Sequence, residues 1–284
     1  MKENKVKLND FEIRYLKSKK YSSSKKKKIL FIHGLGSSSD RWLDIPDALS
    51  KYFYPIVAVD LIGFGGSDKP VTVDYTIEYF SKFIRDFVNC KSVWRNDGEI
   101  DENNCQTVIV GHSLGGYIAA KVAIEDRELV EKLVLIDSSG LLKEPTPLLN
   151  EYLYAALNPS FENVKGVFEK MIANPALLNP TLVDTFIRRI NLAGAKYAFK
   201  SAFENSTKKN FKTSELQRIA NIPALILCGA ADKLIPVEHS KAFNKILKNS
   251  QIQIVENTGH APFAEKPSMV FDIIRIFLTN NKQC

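Results

Sequence analysis

Continuous apolar runs alternate with amphipathic stretches along most of the chain. A run of four or more apolar residues that ends near glycine or a polar residue is typical of a parallel strand buried on both faces. The stretch between 76 and 89, TIEYFSKFIRDFVN, instead carries apolar residues at helical spacing. This alternation predicts an α/β fold with a mostly parallel, doubly wound sheet and helices on both faces. The predicted strands contain KILFI (28–32), YPIVAV (54–59), TVIV (107–110), LVLI (133–136), ALILC (224–228) and IQIV (252–255).

Two regions depart from this rhythm. Residues 5–17, KVKLNDFEIRYLK, alternate apolar and polar positions, which predicts two short antiparallel strands. From about 138 to 214 the pattern is helical only, with turn signals such as KEPTP at 143–147. We therefore predict a core domain formed by residues 1–137 and 215–284, and a helical cap of residues 138–214 over one edge of the sheet.

Length and charge narrow the class of protein. A chain of 284 residues suits one large α/β domain with an insertion. The net charge of +7 comes from lysines that are spread along the chain, apart from one run at 25–28. We interpret that run as a solvated hairpin tip. Since no aromatic or arginine readers cluster near it, we expect no nucleic-acid partner.

Cysteine usage and the N-terminal segment point to the cytoplasm. Cys90, Cys105, Cys228 and Cys284 form no CxxC pair, so we expect free thiols and no metal or redox cofactor. The first ten residues lack the apolar segment of a signal peptide. No apolar stretch is long enough to cross a bilayer, so we expect no membrane association. Whether the protein is a monomer or a homodimer is left open.

A serine between two glycines marks the end of one predicted strand. GHSLG, from Gly111 to Gly115, matches G-x-S-x-G. The motif is informative when a strand precedes it and a helix follows it, as TVIV and YIAAKVAI do here. Such a turn presents the serine hydroxyl at the carboxyl edge of the sheet, where ligands of α/β proteins bind. Ser113 is therefore the candidate nucleophile.

A serine nucleophile needs a base and an acid. Of the histidines, His260 lies in a loop after the last strand, at the same edge as Ser113, whereas His33 and His239 are interpreted as a structural and a surface residue. Asp232 follows the preceding strand, and the order serine, aspartate, histidine is the one this turn type uses. Asp137, at another strand end, is the alternative acid; Asp60 is interpreted as organising the loop DLIGFGGSDKP.

The oxyanion of the reaction needs fixed hydrogen-bond donors. Backbone amides serve this role because they do not reorganise during the reaction. One is predicted at Leu114, directly after the nucleophile at a helix N-terminus, and the other at Leu35, in the loop HGLGSSS.

Five blocks along the chain resemble the α/β-hydrolase fold family, in its serine-nucleophile, cap-bearing branch. They are HGLGSSSDRW, DLIGFGGSDKP, GHSLGG, GAADKLIP and NTGHAPFAEKP. The resemblance implies Ser113 as nucleophile, His260 as base, Asp232 as acid and the amides of Leu35 and Leu114 as oxyanion donors. It also implies a helical cap and no cofactor or metal.

Three functions are compatible with these residues. The first is hydrolysis of a carboxylic ester of a small, largely apolar substrate through an acyl-serine intermediate. The second is hydrolysis of a carbon–carbon bond in a ring-cleavage diketone product. The third is a non-catalytic small-molecule receptor on the same fold.

The predicted cap offers the main indication of substrate. Its helices are rich in leucine, tyrosine and phenylalanine, which favours an apolar pocket but also suits a small core. Gly34, His112, Tyr152 and Phe168 are the candidate substrate-binding residues. One of Arg188 and Arg189 could contact a substrate carboxylate, although exposed arginine is the simpler interpretation. The role of the acidic loop around 96–104 is left open.

Overall fold

The computed structural model describes residues 1–21, 24–42, 44–94 and 106–280, and within them eight strands form one sheet. Their order across the sheet is β1-β2-β4-β3-β5-β6-β7-β8. β2 runs antiparallel to β1 and β4, and the strands from β3 to β8 are parallel. The mostly parallel sheet and its antiparallel start confirm the predicted fold class. In chain order the strands are β1 (Lys2–Leu8), β2 (Phe11–Lys17), β3 (Lys25–Ile32), β4 (Phe53–Val59), β5 (Thr107–His112), β6 (Val130–Ile136), β7 (Ala224–Gly229) and β8 (Ser250–Val255).

The described ranges contain twelve α-helices. Several begin at the residues that favour helix starts: the Thr76 hydroxyl accepts a hydrogen bond from the Tyr79 amide, and Thr146 does the same for Leu149. The helices are α1 (Asp44–Leu49), α2 (Ile77–Asn89), α3 (Lys91–Trp94), α4 (Leu114–Glu125), α5 (Pro147–Leu157), α6 (Phe161–Met171), α7 (Pro180–Ile190), α8 (Ala195–Lys208), α9 (Thr213–Gln217), α10 (Val237–Ile246), α11 (Pro262–Glu265) and α12 (Pro267–Thr279).

The central strands are buried on both faces, as their apolar runs predict. Leu30 and Ile32 of β3 pack with α2 and α4 in one cluster of buried residues. Ile29 and Phe31 face the opposite side and pack with α1 and α12 in a second cluster. Since successive side chains of a strand point to opposite faces, an unbroken apolar strand requires helices on both sides of the sheet.

Only helices and turns occur between β6 and β7. This helical insertion, residues 138–223, contains α5 to α9. Its buried residues, among them Ala198 and Phe199, belong to the same apolar cluster as α2 and α4. The division of the chain into core and cap domains at 138 and 214 stays a prediction, and residue 214 itself falls inside α9.

The lysine run at 25–28 is not a hairpin tip. It forms the first half of β3, which pairs in parallel with β4 and β5. Lys27 makes an ion pair with Glu131 at 2.5 Å, and Lys28 lies over the Trp94 ring. The outer end of a parallel strand reaches solvent at the edge of the sheet, so charged residues are tolerated there.

Some predictions fall on residues that the structure does not describe. The acidic loop around 96–104 lies outside the described residues, as do Cys105 and Cys284. Cys90 and Cys228 are free thiols. Of the helices in the described ranges, none combines the length and apolar character needed to cross a bilayer.

Candidate active site

Ser113 lies at the sharp turn between β5 and α4. Its backbone has φ of 54° and ψ of −118°, a left-handed conformation that a serine adopts only under constraint. The turn also needs glycine on either side. A Cβ on Gly111 would lie 2.3 Å from the Gly115 carbonyl oxygen, and a Cβ on Gly115 would lie 2.2 Å from that of Ile32. The motif thus reflects close packing of strand against helix.

Asp232 and His260 form a buried hydrogen-bonded pair. Asp232 follows β7 and His260 follows β8, so adjacent parallel strands bring the two loops to the same edge of the sheet. The His260 Nδ1 donates to Asp232 Oδ2 at 2.7 Å. Asp232 Oδ1 accepts from the amides of Leu234 at 2.8 Å and Ile235 at 3.0 Å. These amides hold the carboxylate in place and stabilise its negative charge.

Asp137, the alternative acid, lies beside this pair but does not bind the imidazole. It follows β6 with a positive φ of 44° and is fully buried. Its Oδ1 accepts from the Gly229 amide at 3.0 Å, while Oδ2 has no hydrogen-bond donor among the described residues. Burial, together with the charge of Asp232, raises the pKa of Asp137 well above its usual value. Burial and the neighbouring Asp232 thus both favour the uncharged form of Asp137.

His112, which precedes Ser113, supports the loop that carries His260. Its Nε2 donates to the His260 carbonyl oxygen at 2.7 Å, and its ring packs against His260 and Phe263. Burial lowers the pKa of His112 well below that of a free histidine, and the nearby His260 adds to this effect. His112 is thus neutral, with its proton on Nε2.

Of the two predicted oxyanion amides, one follows Ser113 in the chain and the other belongs to a residue that lines the same cavity. The Leu114 amide begins α4, at the positive end of that helix dipole, while the Leu114 side chain is buried in the core. Leu35 lines the cavity in front of Ser113. Its carbonyl accepts a hydrogen bond from the Tyr152 hydroxyl at 3.0 Å, and His33 bonds the Gly34 carbonyl at 2.7 Å. The loop that carries Leu35 is therefore held from both sides.

A cavity of about 170 Å³ joins Ser113 and His260 to the helical insertion. All four candidate substrate-binding residues, Gly34, His112, Tyr152 and Phe168, line it. The insertion supplies most of its apolar wall, where Tyr152 stacks near Phe168 and Phe186 at 6.2 Å and 5.6 Å between ring centroids. The other apolar residues of the insertion in that wall are Leu149, Met171, Ile172, Leu177, Leu178 and Leu182.

The two arginines of α7 have different surroundings. Arg188 is exposed, and among the described residues its guanidinium reaches only the Thr185 hydroxyl. Arg189 lines the cavity, but its guanidinium donates to Ser38 Oγ at 2.6 Å and to Asp40 Oδ2 at 2.5 Å. Asp40 also pairs with Arg14, at 2.9 Å. The charge of Arg189 is therefore already neutralised by the protein.

The remaining residues that the sequence singled out make structural contacts within the described part of the chain. Asp60 accepts hydrogen bonds from the amides of Ser39 and Gly66 and from Arg14, so it ties together the loops after β3 and β4. His33 Nε2 accepts from the Leu61 amide at 3.0 Å and joins the same loops. His239, on α10, is half-buried.

The His260 loop is bonded directly to the helical insertion. The His260 amide donates to the Met171 carbonyl oxygen at 2.7 Å, at the end of α6. The Glu265 carboxylate accepts from the Gly259 amide at 2.7 Å and from the Ala173 amide at 2.9 Å. Glu265 was not among the sequence candidates, because nothing in its local sequence shows that it bridges two distant segments.

His112, Asp137 and His260 also bring potential metal-ligand atoms within 4.8 Å of one another. Two of the imidazole nitrogens in this cluster already make hydrogen bonds, to the His260 carbonyl and to Asp232. The contacts of the cluster therefore suit a hydrogen-bonded proton-transfer site better than a metal centre.

Comparisons of the sequence and of the structure with known proteins agree on one family. The sequence model of the alpha/beta hydrolase fold matches residues 27–267. Lipase 3 of Moraxella sp. is 26% identical over 248 residues, covering 84% of this chain and 72% of the lipase.

A hydrolase of 2-hydroxy-6-oxo-6-(2'-aminophenyl)hexa-2,4-dienoic acid from Metapseudomonas resinovorans is 25% identical over 263 residues, covering 90% of this chain and 83% of the relative. The crystal structure of a putative lipase from Acinetobacter baumannii superposes with a TM-score of 0.81 at 26% identity, covering 98% of this chain and 90% of the lipase.

Proposed function

The chain belongs to the α/β-hydrolase fold family, and we propose that it is a serine hydrolase that cleaves a carboxylic ester of a small, largely apolar substrate. The observation that carries this proposal is the buried Asp232–His260 hydrogen bond of 2.7 Å beside the cavity that the strained Ser113 also lines. A strained nucleophile turn, an oriented imidazole and an apolar cavity at one sheet edge are what acyl transfer requires.

In the first half of the proposed reaction, Ser113 Oγ attacks the ester carbonyl carbon while His260 Nε2 accepts the hydroxyl proton. Asp232 holds Nδ1–H and stabilises the imidazolium that forms. The amides of Leu35 and Leu114 donate to the oxyanion. The intermediate then collapses, the carbon–oxygen bond to the alcohol breaks, and His260 returns the proton to the leaving alcohol.

In the second half, water attacks the acyl-Ser113 carbonyl and gives its proton to His260. The bond to Ser113 Oγ breaks, the serine regains its proton from His260, and the acid is released. No hydrogen bond joins Ser113 to His260 among the described side chains. Catalytic contacts of this kind tighten when substrate fills the site, so we expect this hydrogen bond to form in the substrate complex.

We also propose that the helical insertion acts as a cap. Its apolar side chains form most of the cavity wall opposite Ser113. The cavity volume of about 170 Å³ is close to the roughly 150 Å³ of an engineered apolar cavity that accepts benzene. The cap therefore favours substrates whose buried part is a single ring or a short chain.

The proposal is tested with 4-nitrophenyl esters of two to eight carbons and with a fluorophosphonate label. We expect turnover of the shorter esters and labelling that is lost in Ser113→Ala. Ser139→Ala is a matched control, because Ser139 is a neighbouring serine whose hydroxyl has no partner among the described atoms. Labelling that survives in Ser113→Ala would contradict the nucleophile assignment.

Hydrolysis of a carbon–carbon bond in a ring-cleavage diketone is the second candidate, and similarity to the Metapseudomonas dienoic acid hydrolase favours it. A 2-hydroxy-6-oxo-dienoate substrate, assayed beside the nitrophenyl esters, separates the two reactions. Preference for the dienoate would replace the ester proposal. No turnover and no labelling of the native protein would instead favour a small-molecule receptor.

A further inference from the structure

Arg41 places a buried positive charge on the wall of the cavity. It lies in the short 3₁₀ turn of Ser39–Trp42, and it lines the same cavity as Ser113 and His260. The residue is half-buried, as expected for a side chain that faces a cavity. Burial lowers the pKa of Arg41, yet a guanidinium keeps its charge at neutral pH.

This guanidinium has no counter-charge in the described chain. No carboxylate of the described residues forms an ion pair with it, and none of their oxygens accepts a hydrogen bond from its side chain. The neighbouring Asp40 forms ion pairs with Arg14 and Arg189 instead. A buried charge without a partner is unfavourable, so its presence in a cavity indicates that a ligand supplies the missing charge.

The other ionisable groups of the cavity are already satisfied. Arg189 is neutralised by Asp40, and His112 is neutral. The Glu265 carboxylate is held by two backbone amides. Among the described residues that line the cavity, Arg41 is thus the cation without an anionic partner.

We infer that Arg41 binds an anionic group of the substrate, and that the preferred ester carries a carboxylate in addition to the bond that is cleaved. This inference rests on the proposed esterase function, because it names the substrate class of the same cavity. It differs from the sequence-based hypothesis for Arg188 and Arg189, of which the first is exposed and the second is already paired.

A carboxylate fits the site better than a phosphate. The planar guanidinium matches the two oxygens of a carboxylate in a bidentate pair, and one positive charge balances one negative charge. A phosphate monoester carries about −1.5 to −2 at neutral pH. Its excess charge would face the Glu265 carboxylate on the same lining. The cavity size limits the spacer between ester and carboxylate to a short chain or one ring.

Two pairs of esters test this inference, each pair differing only in charge. With the carboxylate on the acyl side, 4-nitrophenyl hydrogen glutarate is compared with its methyl ester. With the carboxylate on the alcohol side, 4-butyryloxybenzoate is compared with its methyl ester. We expect the wild-type protein to prefer the charged member in at least one pair, by about 10- to 100-fold in kcat/KM, as for a hydrogen bond to a charged group.

The variant Arg41→Met should remove this preference, so that the charged and neutral members of each pair differ by less than about threefold in kcat/KM, while the methionine keeps the apolar contacts of the side chain. Arg41→Lys should retain part of the preference, since it keeps the charge but not the planar fork. Arg188→Met is the matched control at an exposed arginine and should behave as wild type.

Binding of the two carboxylates to Ser113→Ala, measured by calorimetry with and without Arg41→Met, separates this inference from the esterase proposal. Binding that depends on Arg41, together with no turnover of any ester by the wild-type protein, would support the anion site and contradict the esterase. Turnover of neutral esters with no preference for either carboxylate, or a preference that survives Arg41→Met, would overturn the anion site and leave the esterase intact.

Discussion

Replacing Asp232 with asparagine should abolish proton transfer while leaving the site almost unchanged in shape. The amides of Leu234 and Ile235 both donate to Oδ1, so the variant's side-chain oxygen must stay at that position. Its amino group then faces His260 Nδ1, 2.7 Å away in the native protein. The imidazole can bind this amino group only by accepting at Nδ1, which places its proton on Nε2. Nε2 can then no longer accept the serine proton.

In the serine-protease triad, a histidine held in the wrong tautomer lowers kcat by about 10⁴-fold, equivalent to about 5.5 kcal/mol in the activation free energy. We expect a similar loss for Asp232→Asn in steady-state hydrolysis of 4-nitrophenyl butyrate. Asp137→Asn makes the same chemical change at the neighbouring carboxyl and should keep kcat within about tenfold, since burial and Asp232 already favour the uncharged form of Asp137 and its carboxyl does not bind His260. Retained activity in Asp232→Asn together with loss in Asp137→Asn would refute this reasoning and assign the acid to Asp137.

Three further predictions concern stability. Gly115→Ala should lower the free energy of unfolding in urea by about 1–3 kcal/mol, because its Cβ would lie 2.2 Å from the Ile32 carbonyl oxygen. Gly166→Ala, in open space on α6, should instead raise it by about 0.5–1 kcal/mol; equal effects would contradict the packing argument. Arg41→Met should raise the free energy of unfolding by about 1–3 kcal/mol by removing a buried unpaired charge, and a decrease would show that the charge is solvated. Burial lowers the pKa of His112 below 6.5, so as the pH falls the unfolded chain binds a proton at this residue before the folded protein does. The stability that His112 contributes is therefore complete above about pH 6.5 and is lost as the pH falls. Unfolding curves of wild type and His112→Gln should therefore converge below that pH, and a constant difference would exclude this effect.

The fold and the position of the main candidate residues were predictable because they depend on local pattern. Apolar runs identify the buried strands, and parallel strands place their carboxyl ends at one edge of the sheet. Ser113, Asp232 and His260 each follow such a run, so the sequence alone places them together. The choice between Asp232 and Asp137 was harder, because both follow strands and only the packed loops show which carboxyl binds the imidazole.

Arg41 could not be predicted, because its environment is made by distant segments. In the sequence it follows a serine-rich, polar stretch and resembles a surface residue. Tyr152 and other residues of the insertion, more than a hundred positions away, form part of the cavity that Arg41 lines, and Arg189 pairs with the neighbouring Asp40. The lysine run at 25–28 was misinterpreted for a related reason, since charge alone does not show that β3 begins inside it.

The hydrogen bond from the His260 amide to the Met171 carbonyl has a practical consequence for protein engineering. A chimera that exchanges the insertion for that of another hydrolase, in order to change substrate range, also exchanges the main-chain partner of the histidine. The graft must therefore reproduce the path of one peptide group rather than any particular side chain. A Cβ at Gly259 would lie 2.2 Å from the same carbonyl oxygen. The contact between the His260 loop and the insertion therefore leaves no space for a grafted insertion whose backbone follows a different path.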